Sequence, residues 1–247
     1  LTYESLHECS AKIYKTGLVV LYKKHKGRSR QEMIEAARQP RHYQIKKSEV
    51  VSAAINLYNR KKYQVYFITF TFAFNPTELQ ASRIWTNYLK NLKLNYNVNN
   101  YVWVKEKQKS GRLHFHALID SPRNNIAKLQ SSFNNTVKNF DNTLAISNNS
   151  VRLGNNPVVF NIQQCAKYIS KYISKSRDDI YQQRAYGFTV EISDVCREID
   201  TYQLDELALK YEVKHVYTAA FFEIFILKGY QESKNIESPI VKFANSS

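Results

Sequence analysis

The run Tyr63 to Phe74 (YQVYFITFTFAF) constrains the fold most, because its aromatic and β-branched texture predicts a strand and little else. Asn75 and Pro76 end it. A strand needs neighbours. Tyr101 to Lys107 and Arg112 to Asp120 both alternate in polarity, and Gly111 in the short QKSG connection between them predicts a hairpin. Thr77 to Leu94 suits an amphipathic helix with Leu79, Ile84, Leu89 and Leu92 facing inward. The Asn-rich stretch from Asn134 to Asn156 reads mainly as loop, with a short strand near Ser150 to Leu153 and another at Val158 to Ile162. A strong helix is predicted over about Gln163 to Lys175, a closing strand around Phe188 to Ile192, and a helix near Tyr202 to Tyr211. Strands in a row with helices set apart from them point to an α+β domain with a central antiparallel sheet, of ferredoxin-like or RNA-recognition-motif-like type. The expected organisation is a basic, mainly helical extension over 1–62, a nuclease-sized domain over 63–193, and an acidic helical extension over 194–247.

Glycine is scarce, 6 in 247 residues, and no two lie closer than ten positions apart. That spacing excludes GxGxxG and GxxxxGK[ST], and with them a Rossmann dehydrogenase or a P-loop motor. Cys9, Cys165 and Cys196 are too dispersed for CxxC zinc spacing and too few for a disulfide framework, which suggests a reducing compartment. The most apolar stretch, Ala219 to Leu227, is interrupted by Glu223 and falls well short of the ~20 residues of a membrane span. No signal peptide is visible, so a soluble protein is expected. The chain opens on Leu1 and its sole methionine is Met33, which reads as a trimmed or incomplete N-terminus.

Charge narrows the partner. The net charge is +15, made of +7 over residues 1–60, +6 over 61–120, +5 over 121–180 and −3 over the remainder. An excess of that density over the first 180 residues is the electrostatic footprint of nucleic-acid binding. Lys23, Lys24, Lys26, Arg28 and Arg30 form its tightest cluster, ahead of a helix expected from about Ser48.

Two constellations carry chemistry. His114 and His116 flank Phe115 in RLHFHALID, and on a strand both imidazoles face one side while Leu113, Phe115, Ala117 and Ile119 face the other. Such a pair is ready for a metal, and is equally what two polar residues on an exposed strand face would look like. Glu106 is the candidate third ligand. A hairpin loop of odd length, such as Gln108 to Ser110, would pair Glu106 with Arg112 and set it diagonal to His114 on the same face. An even loop turns it away, and an ordinary salt-bridging carboxylate is the other reading. The second constellation is YISKYISK, in which Tyr168, Lys171, Tyr172 and Lys175 form one helical stripe and Cys165, Ile169 and Ile173 another, suited to packing on the sheet.

Together these motifs resemble the HUH endonucleases: a strand like FITFTF, then an HxH strand, then YxxKYxxK about fifty residues later. More narrowly, they resemble the rolling-circle replication initiators (Rep proteins) of single-stranded DNA phages and related plasmids. The doubled tyrosine is similar to that of the two-tyrosine subclass of microviruses. The resemblance runs from about Tyr63 to Phe188, and tyrosines placed after the histidines argue against the relaxase branch.

The resemblance implies that Tyr66 to Phe72 is the structural first motif, and that His114, His116 and Glu106 hold Mg²⁺ or Mn²⁺. It further implies that Tyr168 and Tyr172 are nucleophiles, with Lys171 and Lys175 lowering tyrosine pKa values or neutralising phosphate. The substrate is then single-stranded DNA or an origin hairpin, nicked to a 5′-phosphotyrosine and a free 3′-OH and later rejoined. Arg112 and the Lys23 to Arg30 cluster would bind that DNA. A helicase and polymerase would come from the host or a partner, and the setting would be cytoplasmic, in a bacterial cell for a phage or plasmid product. The competing readings are a single-strand transposase of the HUH type, and a non-catalytic module on which Tyr66, Phe70, Tyr101 and Trp103 stack bases.

Overall fold

The computed structural model describes residues 10–22, 41–108, 110–126, 128–175, 185–189, 197–219 and 222–230. In chain order the elements are β1 (Ser10–Ile13), β2 (Leu18–Tyr22), α1 (Arg41–Asn59), β3 (Gln64–Thr71), α2 (Glu78–Tyr96), β4 (Tyr101–Lys107), β5 (Leu113–Ser121) and α3 (Arg123–Ile126). Then come α4 (Leu129–Phe140), β6 (Val151–Val158), α5 (Ile162–Lys175), β7 (Tyr186–Phe188), β8 (Arg197–Ile199), α6 (Thr201–Lys210), β9 (Glu212–Thr218) and β10 (Phe222–Lys228). The strand expected at Tyr63 to Phe74 is β3, and it sits inside a five-stranded antiparallel sheet of order β6-β3-β5-β4-β7. Asp120 fixes its entry, its carboxylate accepting from the backbone N–H groups of Lys62 at 2.6 Å and Tyr63 at 2.8 Å.

Helices cover both faces of this sheet, which is why β3 and β5 carry apolar side chains in both directions. On one face Tyr66, Ile68, Phe70, Leu113, Phe115, Ala117 and Ile119 pack under α2 and α4. An aromatic cluster holds that layer together: Phe70 meets Trp85 and Tyr88 edge-on, and Trp85 stacks on Phe115 at 4.4 Å. Thr77 caps α2 in a full capping box with Gln80. The inward residues of α2 are Ala81, Ile84, Trp85, Tyr88 and Leu92, whereas Leu79, expected to face in, is exposed in the first turn.

On the other face, Val65, Val102, Val104 and Leu118 pack against α1 and α5, with Cys165, Ile169 and Ile173 buried as their helical stripe predicts. Burial among these apolar side chains pushes the Cys165 thiol far up, so it is an inert core residue. This core continues into Leu18, Val20, Phe222 and Ile224. Those residues belong to a second five-stranded antiparallel sheet, β8-β1-β2-β10-β9, with α6 on its far side.

The flanking segments thus carry the expected helices α1 and α6, but they are not helical throughout: an N-terminal hairpin pairs with C-terminal strands across nearly the whole chain. The physical reason is local. Leu18 to Leu21 and Phe222 to Leu227 are buried apolar runs that each need a partner strand. Three further expectations shift. The Asn-rich stretch gives its first third to α4, where Asn134 donates to the Ser147 carbonyl and accepts from Ser150. The two short strands expected at its end are one, β6, which stops at Val158. The closing strand begins earlier, as β7, and its expected extent beyond Thr189 lies outside the described residues.

One buried charge holds α2 to the sheet. The Lys105 side chain is fully buried, with Nζ 3.4 Å from Glu78 Oε2. Burial lowers the Lys105 pKa while the Glu78 charge and hydrogen bond oppose the shift. Removing one partner from such a pair leaves an uncompensated buried charge, though here Glu78 is partly exposed and water softens the penalty. Glu78→Ala is expected to lower the unfolding free energy in urea by about 2 kcal/mol, and Lys105→Met by much less.

Candidate active site

The hairpin register brings the three candidate ligands to one face. Its loop, Gln108 to Arg112, is closed by Gln108 N–H donating to Arg112 O and by Gly111 at φ 84, a conformation that favours glycine. The parity is odd, but the loop is two residues longer than the illustrated three. Glu106 therefore pairs directly with His114 instead of Arg112, and lies diagonal to His116.

Each imidazole is held from the neighbouring strand. His114 Nδ1 shares a 3.0 Å hydrogen bond with the Thr71 hydroxyl, and His116 Nδ1 an equal one with the Thr69 hydroxyl. Both contacts follow from the β3–β5 register, in which Thr71 faces His114 and Thr69 faces His116. The threonines fix ring orientation and point both Nε2 atoms away from β3, the role second-layer partners play for ligating histidines. Sequence reading missed them, although the two threonines alternate on β3 with the same period as the histidines on β5.

The Nε2 atoms differ. His116 Nε2 lies 2.6 Å from Glu106 Oε2, so a proton sits between them. His114 Nε2 is buried with no hydrogen-bond partner. Burial holds the His114 imidazole below its usual value of 6.5, Glu106 opposes, and Arg112 and Arg152 reinforce the lowering. The chemistry of this donor set suits a divalent ion: two imidazoles with anchored Nδ1 atoms, one bare Nε2 and one carboxylate. As they stand the donors do not converge, and no three His, Cys, Asp or Glu side chains among the described residues are arranged to hold a metal ion. A cation binding here would displace the proton shared by His116 and Glu106.

A lowered imidazole pKa has a stability consequence with a definite sign. The unfolded chain takes up the His114 proton more readily than the native one, so stability is full above about pH 6.5 and falls below it. In chelator, the urea midpoint is expected to drop between about pH 7.5 and about pH 5.5, and to drop less in His114→Asn.

The helical constellation meets the histidines through stacked rings. The Tyr172 ring lies on His116 with centroids 3.6 Å apart and planes 25° from parallel. Phe67, from β3, stacks on Tyr168 at 5.0 Å, on Tyr172 at 5.3 Å and on His116 at 6.0 Å. Phe67 is thus the platform joining both motifs, and it too was missed, hidden in a run where every residue reads as core. Lys171 is exposed, its Nζ 5.4 Å from the Tyr172 ring centroid. Arg112 is exposed at the hairpin end. Lys175 closes α5. The back of α5 is braced by the second sheet, where the Ser170 and Tyr217 hydroxyls hydrogen-bond.

Residues 65–177, just under half of the chain, match the family model described as replication-associated protein ORF2. This segment is a Rep domain. It spans β3 to α5 and so contains Glu106, both histidines, both tyrosines and both lysines of the candidate site. The second sheet and α1 lie outside the match. No curated protein and no solved structure shows a significant match to the chain.

Two expectations meet limits. Lys23, Lys24, Lys26, Arg28 and Arg30 lie outside the described residues. Base stacking on Tyr66, Phe70 and Trp103 is overturned, because all three are buried beneath α2 and α4, with only Tyr101 half-exposed. Among the described residues, no helix is long and apolar enough to cross a membrane.

Proposed function

We propose that the Rep domain is a tyrosine endonuclease that nicks single-stranded DNA at an origin and later rejoins strands. The observation that carries the reading is the stack of Tyr172 on His116, which sets a potential nucleophile against the candidate metal ligands. A Mg²⁺ or Mn²⁺ ion held by His114, His116 and Glu106 would polarise the scissile phosphate. The tyrosine oxygen forms a bond to phosphorus, the bond to the 3′ oxygen breaks, and that oxygen takes up a proton. The products are a 5′-phosphotyrosine link and a free 3′-OH, and attack by that hydroxyl reverses the step without a nucleotide cofactor. Lys171 neutralises phosphate charge from the exposed side of α5, Lys175 adds to it at the helix end, and Arg112 does so from the hairpin. Lys23, Lys24, Lys26, Arg28 and Arg30 extend the DNA contact, and helicase and polymerase come from the host or a partner in its cytoplasm.

The test is direct. Mixed-sequence single-stranded DNA incubated with the protein and Mn²⁺ is expected to yield a covalent adduct that resists denaturing electrophoresis. Chelator should prevent it. Saturable DNA binding with no adduct under any divalent ion would mean the domain binds without cutting.

A further inference from the structure

We infer that a groove on the reverse face of the Rep sheet is a second DNA contact, a pocket for one nucleobase. This rests on the reading of single-stranded DNA as substrate. The cavity, about 300 Å³, lies between α2 and the β4–β7 sheet edge and is lined by Trp85, Thr86, Leu89, Tyr101, Trp103 and Phe188. Its size sits at the low end for small-ligand sites, and its walls are mainly aromatic, as a stacking platform requires. Trp103 points away from the histidines, because its neighbour Val104 is the residue paired with His116. The pocket is therefore separate from the site already described, yet only two strand spacings, about 10 Å, from His116 across the sheet.

A glycine shapes it. Gly187 pairs with Trp103, and a Cβ at that position would meet the indole at 2.7 to 2.9 Å. Glycine at the edge lets the indole lie across β7. Charge selects the occupant. The wall helix α2 carries exposed Arg83, Lys90 and Lys93, while its sole acid, Glu78, is engaged by Lys105. Ser82 and Thr86, which border the groove with Leu89, share one helical stripe with Lys93. A base in the pocket would thus have its phosphates along a cationic helix. A strand leaving the histidine face can pass over β7 to reach it.

The experiment uses a reporter already in place: the chain has two tryptophans, and both line this cavity. A thymidylate oligonucleotide, titrated without metal, is expected to change tryptophan emission saturably, and an abasic oligonucleotide of equal length is not. Thr86→Glu, which sets a carboxylate at the exposed rim, should weaken that response at least about fivefold in Kd. The variant should still form adduct at saturating DNA with Mn²⁺. Adduct formation with an unresponsive emission, or an equal response to the abasic strand, overturns the pocket and leaves the nuclease reading intact. A base-dependent emission change with no adduct does the reverse.

Discussion

Replacing both His114 and His116 with alanine is expected to abolish covalent adduct formation, a fall of at least about 10³-fold, while leaving salt-dependent DNA binding close to wild type. The size follows from what a Lewis acid contributes to phosphoryl chemistry, several kcal/mol of charge stabilisation in the transition state. Binding survives because it rests on lysines and arginines spread over the first 180 residues and not on the imidazoles. The substitution also frees the hydroxyls of Thr69 and Thr71 from their hydrogen bonds, at about 1 kcal/mol each. The variant should therefore fold, with a slightly lower urea midpoint. Quantifying adduct per unit of bound DNA separates the two effects, and full nicking by the double variant would remove the histidines from the chemistry. Glu106→Ala should act less completely. Glu106 stands directly opposite His114 and reaches Nε2 of His116, so its loss removes one donor and leaves both rings anchored.

The site was legible in the sequence wherever one element's own periodicity set the geometry. Alternation on β5 put His114 and His116 on one face with Leu113, Phe115, Ala117 and Ile119 on the other, as observed. The helical repeat did the same for Tyr168 and Tyr172 against Cys165, Ile169 and Ile173. What could not be read were relations between elements. Parity of the β4–β5 loop set the face of Glu106, but its length, and so its partner, depended on the turn that Gly111 closes. Thr69 and Thr71 gained their role only through a register between strands more than forty residues apart. Phe67 looked like any other residue of a core strand.

The same distinction explains the flanks. The helices α1 and α6 announce themselves locally, α6 through the Asp200 cap that accepts from Gln203 N–H. Strands β1, β2 and β10 are four to seven residues long and pair across nearly the whole sequence. Nothing in a short apolar run says which distant run it will join. The consequence reaches the site, since β9 of this second sheet supplies Tyr217, which holds the back of the helix that carries both tyrosines.

Those tyrosines set up the other large effect. The double substitution Tyr168→Phe with Tyr172→Phe is expected to leave no adduct, while each single substitution leaves some on the remaining tyrosine. Phenylalanine keeps the rings stacked on Phe67 and, for Tyr172, on His116, so what changes is the hydroxyl and not the packing. Spacing of i, i+4 puts both hydroxyls about 40° apart around the helix and ~6 Å apart along it, within reach of one phosphate by a modest side-chain adjustment. Strand transfer from one tyrosine to a second cleavage should then fail in either single variant, because it needs one occupied and one free nucleophile. Mass spectrometry of the adducted peptide distinguishes the two positions. Sequence order favours Tyr168, which heads the first YxxK, as the first to act, whereas the ring nearest His116 is that of Tyr172. If one single substitution eliminates every adduct and the other is silent, the domain uses one nucleophile, and the repeated YISK serves as the ring face that packs on Phe67.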